Sequence, residues 1–300
     1  MSEVLPFPSG STESYLSYSQ LSTYGDCPTK YRLRYVERVP AEASGAFIAG
    51  KVGHAIIERS EEAEVWRQDD AVQVLAAWFR ADLATAVADA GGPDAVRWSG
   101  RAQILRDDEG KEVRGPDNRP IKLKETDVWW HHQGPAMLRR YVTIRRQLDA
   151  EQFRVRFTQT GRVDGIELKV TTRIAGRLIA AYIDAVLLAD EDGQSAILDW
   201  KFGNYADPYQ LAVYAEVLHR ARGLDIDRGF IAYLRQKERD RWLVEFDLQR
   251  WRGQVEGDFA ELAAGIEAGV FPKKRSSFCV SCSVRAHCSW GRTLEEGSHG

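Results

Sequence analysis

Three hundred residues with 44% hydrophobic, 28% charged and 10% aromatic side chains are ordinary globular usage, which excludes a disordered, collagenous or low-complexity chain. No run approaches the roughly 18 to 20 uninterrupted apolar residues that a membrane-spanning helix needs, and the start of the chain, MSEVLPFPSGSTES, has no basic or apolar leader pattern, so a cytoplasmic address is expected. The net charge of -3, from 41 basic and 44 acidic residues, gives no bulk attraction to a polyanion, so any nucleic-acid contact must come from a local site.

In chain order, residues 1–16 read as a tail. Apolar and aromatic residues at helical spacing from Tyr18 to Val36 predict two short helices with Cys27-Pro28 at their junction, because proline ends one helix and fits the first turn of the next. Amphipathic helices follow over Ala46–Trp66 and Ala71–Ala88. Residues 100–126, centred on DDEGKEVRGPDNRP, turn polar without periodicity and read as an exposed loop or insertion. A helix rich in Trp, His and Arg is expected from Val128 to Leu148, completing a helical region over 17–150. The period then changes, and 153–157, 162–172, 177–188, 195–202, 229–235 and 241–246 have strand character. They enclose one helix, Pro208–Arg222, with Asp207 as N-cap and Pro208 at its first position. A last helix over about 248–268 completes a core at 151–270. A basic, cysteine-bearing segment, 271–292, and a tail, 293–300, expected to be disordered, follow. This order describes a mixed α/β sheet flanked by helices.

The sharpest chemical signal lies in two neighbouring strands, Ala180–Leu188 and Ala196–Phe202, separated by the hairpin signal Asp190-Glu191-Asp192-Gly193. A turn centred on Asp192-Gly193 sets Asp184 opposite Lys201, and one centred on Glu191-Asp192 sets it opposite Asp199. Asp184, Asp199 and Lys201 share a face in either register, whereas a one-residue slip would separate them. Ile183, Ala185, Leu187, Leu198 and Trp200 read as one apolar face and Val186, Leu188 and Ile197 as the other, so both strands are expected to be central and covered on both sides. Charges at that depth need compensation. A divalent cation supplies it, with the carboxylates as hard ligands and the lysine directed at water or phosphate. The plainer reading is a structural Asp-Lys pair. Gln210 and Tyr214, four apart on the next helix, share a face, as do His54 and Glu58 after the small-residue run Ala49-Gly50-Lys51-Val52-Gly53.

The four cysteines are Cys27 and a C-x2-C-x5-C cluster of Cys279, Cys282 and Cys288. Four thiolates can hold a [4Fe-4S] cluster or a tetrahedral zinc ion, and spacing alone does not decide between them. If all four share one ligand, the two ends of the chain must meet.

Taken together, Ile183-Asp184, Asp199-Trp200-Lys201, Gln210-x3-Tyr214 and Gly50-x3-His54 resemble the motifs of the PD-(D/E)XK nuclease superfamily, specifically its RecB-like branch. Tyr18-Ser19-Gln20-Leu21 with Cys27-Pro28 and the terminal cysteines resemble that branch's iron-sulfur subset, the CRISPR-associated Cas-four exonucleases and the AddB nuclease domain. Where the family often has glycine ahead of the first aspartate, this chain has Ala180 and Ala181. The resemblance, over about residues 17–290, implies a restriction-endonuclease-like mixed sheet with an iron-sulfur segment joining the termini. It further implies His54, Asp184 and Asp199 as ligands of Mn2+ or Mg2+, Lys201 as electrostatic catalyst, Gln210 and Tyr214 as active-site support, and a [4Fe-4S] cluster at Cys27, Cys279, Cys282 and Cys288, favoured over zinc.

The expected activity is metal-dependent DNA hydrolysis, as an exonuclease on single strands or DNA ends; the alternative is a non-catalytic DNA-binding or recombination scaffold. Lys273, Lys274 and Arg275, Arg139 and Arg140, Arg145 and Arg146, and Trp129 and Trp130 are candidate DNA contacts, since cations hold phosphates and aromatic faces stack on bases. No Walker A pattern occurs, so helicase activity would come from a partner protein. No membrane association is expected.

Overall fold

The computed structural model describes residues 15–99, 101–107, 111–155, 165–189, 194–203, 205–236 and 239–291. The tails at 1–14 and 292–300 and the turn 190–193 therefore lie outside the described residues. Helix α1 (Tyr18–Asp26) stops at Cys27, and Pro28 opens α2 (Pro28–Tyr31), which continues through a wider helical turn to Val36. Helices α3 (Gly45–Glu62), α4 (Ala71–Asp89) and α5 (Asp127–Ala150) complete the N-terminal half. By length and composition α4 could cross a membrane, but it is packed between α3 and α5, with Leu75, Phe79 and Leu83 inside.

Between α4 and α5 the structure corrects the sequence reading. Residues 100–126 are not a plain loop: β1 (Ala102–Ile104) pairs antiparallel with β2 (Lys122–Lys124) in a two-stranded ribbon, and the segment around Val113 bridges both flanks, at Arg106–Glu112 and Arg114–Pro120. Its strands are three residues each and half exposed, so the alternation at Ile121-Lys122-Leu123-Lys124 is too short to stand out in the sequence. Gln133 Nε2 donates to the Arg106 carbonyl at 2.8 Å, tying the ribbon to α5.

The main sheet contains β3 (Phe153–Val155), β4 (Ile166–Ile174), β5 (Arg177–Ala189), β6 (Ser195–Lys201), β7 (Arg228–Tyr233) and β8 (Leu243–Asp247). Its order is β3-β5-β6-β7-β8, with β4 sharing the β5 edge beside β3. All pairs are antiparallel except β6-β7, which the crossover helix α6 (Tyr209–Arg222) makes parallel. Ala196 through Trp200 on β6 are all buried, because both faces are covered. One core joins α3, α4 and α5 to Ala185, Leu187, Leu198, Trp200 and Phe230; the other joins α6 and α7 (Gln254–Glu267) to Val186, Ile197 and Ile231. Helical region and sheet thus share a three-layer α/β/α body.

Two boundaries move. α6 begins at Tyr209, one residue late, although Asp207 Oδ1 still accepts its amide at 3.0 Å. α7 begins at Gln254 rather than about 248, because Gly253 (φ +89°) adopts a conformation that ends the preceding short turn at Gln249–Trp251.

Among the described residues, the segment around Cys27 meets the segment that leads into the C-terminal cysteines. Thr29 N–H and Oγ1 donate to the Pro272 and Phe271 carbonyls at 3.2 and 2.9 Å, Tyr24 Oη donates to Val270 O at 2.7 Å, and the Glu42 amide donates to Ser283 O at 2.9 Å. The Tyr31 and Phe271 rings stack at 6.3 Å.

Inside the helical layer, the Arg145 guanidinium lies 3.1 Å from Glu61, whose other partner is the Tyr141 hydroxyl at 2.9 Å, and both charged side chains are only 3% exposed. Burial pushes the Glu61 carboxyl up while Arg145 opposes the shift. Removing one partner strands the other charge in the core. Arg145→Met should lower unfolding stability by about 3–5 kcal/mol in urea denaturation.

Candidate active site

The hairpin pairs Ala185 with Leu198 through Leu188 with Ser195, the register in which Asp184 stands opposite Asp199. The β5-β6 ladder then stops. In its place, the Trp200 amide donates to Asp184 Oδ2 at 2.8 Å. On the other edge of β5, the β4 register carries Glu167 opposite Asp184, and Glu167 has φ +45°. The sheet therefore opens on both sides of Asp184. The opening also corrects a face assignment: Ile183 and Leu168 pack into the α6–α7 core, whereas Ala185 and Ile166 pack into the α3–α5 core. Strict alternation would have kept Ile183 with Ala185; the interruption at Glu167 and Asp184 exchanges the faces.

His54 reaches this gap from α3. Its Nδ1 is 3.4 Å from Asp184 Oδ2 and 3.5 Å from Glu167 Oε1. The close helix-sheet approach depends on Gly53, where a Cβ would lie 2.1 Å from the Phe202 ring. On the other side, Lys201 Nζ donates to Asp199 Oδ1 at 2.9 Å and Gln210 Oε1 at 3.0 Å. Gln210 Nε2 donates to Tyr214 Oη at 2.5 Å, which fixes the amide with its oxygen toward the lysine. Six residues singled out in the sequence, His54, Asp184, Asp199, Lys201, Gln210 and Tyr214, therefore converge from α3, β5, β6 and α6.

Glu167 is a site residue that the sequence reading missed. Its signal was a single carboxylate in the apolar run Gly165-Ile166-Glu167-Leu168, which by itself resembles any solvent-facing strand position. Among the described residues, His54, Glu167 and Asp184 place ligand atoms within 4.8 Å of one another.

The electrostatics fit a divalent cation. Burial raises the Asp184 carboxyl to about 7; His54 opposes that shift and Asp199 adds to it. Burial lowers the His54 imidazole, but Asp184 and Glu167 outweigh it and carry the group up to about 9. The His54 shift answers the carboxylates around it, and the Asp184 shift answers first its burial and then the neighbouring Asp199 and Glu167. Asp199 Oδ2 is buried without a hydrogen bond, although it lies 2.7 Å from Lys201 Nζ. Oxygen donors beside one imidazole, with spare acceptor capacity, are a donor set for Mg2+ or Mn2+. Burial lowers the Lys201 ammonium, but Asp199 and Asp184 more than reverse that, so it stays charged.

Other sequence candidates lie elsewhere. Trp129 and Trp130 are buried at 3% and 1% exposure, so neither ring is available to stack on a base. Arg140 is buried and donates to Leu234 O at 2.5 Å, and Arg145 is the core partner of Glu61. Arg146 donates to the Trp66 and Gln68 carbonyls at 3.0 and 2.7 Å. Arg139 is half-buried on α5, with its Nε unpaired. Lys273 and Lys274 donate to Ser289 Oγ and Gly25 O, and Arg275 lies 4.0 Å over the Trp290 ring, so all three brace the cysteine segment. Cys27 and Cys279, Cys282 and Cys288 are free thiols on two segments that pack together, but no three of them gather their sulfurs within 4.8 Å.

Hard donors of this kind, with a lysine positioned beside them, suit a charged phosphodiester, and fold and site together define a metal-dependent nuclease. The chain belongs to the PD-(D/E)XK nuclease superfamily, whose sequence profile matches residues 15–289. It is similar to the Gene 69 protein of Mycobacterium phage D29, 24% identical over 284 residues that cover 91% of this chain and 95% of that protein. The Gene 69 protein of Mycobacterium phage L5 is also 24% identical, over 285 residues with the same coverage.

Because Glu167 faces the same point as Asp184 and His54, Glu167→Ala should weaken Mn2+ binding at least tenfold in calorimetric titration, the lower end of what losing a supporting group near a metal costs.

Proposed function

We propose that this protein is an exonuclease acting on single-stranded DNA or DNA ends. The observation that carries the reading is Lys201 Nζ, held between Asp199 and Gln210 beside the His54, Glu167 and Asp184 donor group. Exonuclease action is supported by the order of the RecB-like motifs along the chain. DNA is the partner; a helicase or recombination protein would supply any strand separation.

His54, Asp184 and Asp199, with Glu167 adjoining, would hold Mg2+ or Mn2+, which when bound would supply Lewis acidity and activate water. The chain's own groups do the rest. Asp184 Oδ2 accepts from the Trp200 amide and lies 3.4 Å from His54 Nδ1, which fixes the carboxylate at the gap. Lys201 keeps its charge and offers an ammonium to the phosphate as negative charge builds on it. Tyr214, whose phenol burial and the two aspartates hold protonated, orients Gln210, and Gln210 orients Lys201.

A [4Fe-4S] cluster at Cys27, Cys279, Cys282 and Cys288 is part of the same proposal. A tetrahedral zinc site with bonds near 2.3 Å would bring its sulfurs to about 3.8 Å of one another. No three of the thiols gather within 4.8 Å of one another, which does not favour that compact arrangement. A cluster that places four irons among the thiolates holds them farther apart, and its role here would be to lock the ends of the chain.

End-labelled single- and double-stranded DNA, incubated with anaerobically purified protein and Mn2+, Mg2+ or EDTA, tests the activity. Wild type should release label only with metal, and Lys201→Ala should lose about 10²- to 10³-fold in rate, comparable to deleting one preorganised electrostatic group. A folded, metal-loaded wild type that degrades nothing would instead support the non-catalytic scaffold. Cys282→Ser should lose iron, acid-labile sulfide and visible absorbance and melt at a lower temperature than wild type; retained zinc in the wild type would overturn the cluster.

A further inference from the structure

Among the described residues, two aromatic side chains are more than half exposed, Phe47 at 68% and Tyr205 at 82%. Single exposed apolar residues are normal. Here both lie on segments that adjoin the metal-ligand group, Phe47 on α3 with His54 and Tyr205 four residues after Lys201. Phe47, Lys51, His54 and Glu58 follow a 4-3-4 spacing along α3, so they share one stripe of that helix. At 1.5 Å per residue, Lys51 and Phe47 stand about 4.5 and 10.5 Å from His54 along the axis, toward the N-terminus of α3.

Tyr205 lies beyond the end of β6. Phe202, at the end of β6, packs on Gly53, and a Cβ at Gly50 would stand 4.0 Å from its Cβ, so the chain leaving β6 passes beside this stretch of α3. Three residues later Tyr205 is in solvent, within electrostatic reach of Tyr18 and Tyr233, whose neighbours include Asp207 and Asp199. Lys51 is exposed and has no carboxylate partner among the described residues. The positive end of the α3 dipole lies on the same side, whereas Glu58 stands at the opposite end of the stripe, with Glu62 and Lys169 near it. A polyanion leaving the metal-ligand group is drawn toward Lys51 and Phe47 and away from Glu58.

We propose that Phe47, Lys51 and Tyr205 form a track that binds an unpaired DNA strand next to the scissile phosphate, the two rings stacking on bases and the lysine contacting the backbone. This rests on the nuclease reading above and selects single-stranded DNA as the substrate. Rings stack on any base, so the track carries no sequence preference, and bases paired within a duplex do not offer their faces.

Fluorescence anisotropy with a labelled oligothymidine in EDTA reads binding without cleavage. Phe47→Ala and Tyr205→Ala should each weaken single-strand binding by about 5- to 150-fold while leaving duplex binding unchanged. Tyr205→Trp should retain the affinity, and an oligonucleotide with abasic sugars should bind wild type and the alanine variants alike. Lys51→Gln should reduce the slope of log affinity against log salt by about 0.7. Circular dichroism confirms folding of these surface variants. Unchanged single-strand affinity, or equal losses on single strand and duplex, overturns the track. Because binding is read without metal, a wild type that binds through these rings but never cleaves would sink the nuclease reading and leave the track standing.

Discussion

The site depends on one hydrogen bond that replaces a rung of the sheet. Where the β5-β6 ladder would continue past Ala185 and Leu198, the Trp200 amide turns to the carboxylate of Asp184. That exchange satisfies a buried backbone donor and parts the strands at the same place. Through the gap an imidazole from one helical layer and a lysine held from the other reach a common centre. A continuous ladder would have sealed the two layers from each other.

The gap also sets the charge balance. Among the described residues, Asp184, Asp199 and Glu167 meet His54 and Lys201 there; burial raises the Asp184 carboxyl, and the carboxylates raise the His54 imidazole. A divalent cation adds positive charge there without new side chains. Stability and function pull against each other at this point, because the buried carboxylates that destabilise the apo chain are the ones that make a metal bind. The surrounding apolar layers, with Trp200, Leu198 and Ile197 fully buried, hold the strands in place despite that penalty.

Much of this was legible in the sequence because it rests on local spacing. Asp199-x-Lys201 places two side chains on one face of any strand, Gln210 and Tyr214 adjoin on any helix, and Cys27-Pro28 breaks any helix. The readings that failed required knowledge of the far side. Trp129, Trp130, Arg140 and Arg145 have the composition of a DNA-binding face, yet α5 is enclosed by α3, α4 and the sheet, and its arginines meet Glu61 and the Leu234 carbonyl. The β1-β2 ribbon escaped notice because strands of three residues carry too short a period to stand out.

By itself the sequence determined the order of elements, the even spacing that brings Asp184 to the level of Asp199, and the chemistry of the donors, since these follow from backbone period and side-chain type. Only the tertiary structure decided between the two hairpin registers, exchanged the faces at Ile183, and brought Glu167 and His54 to Asp184. It also brought the segment around Cys27 against the C-terminal cysteines. Each of those outcomes depends on contacts between residues far apart in the chain, where no local period constrains the partner and close packing alone selects it.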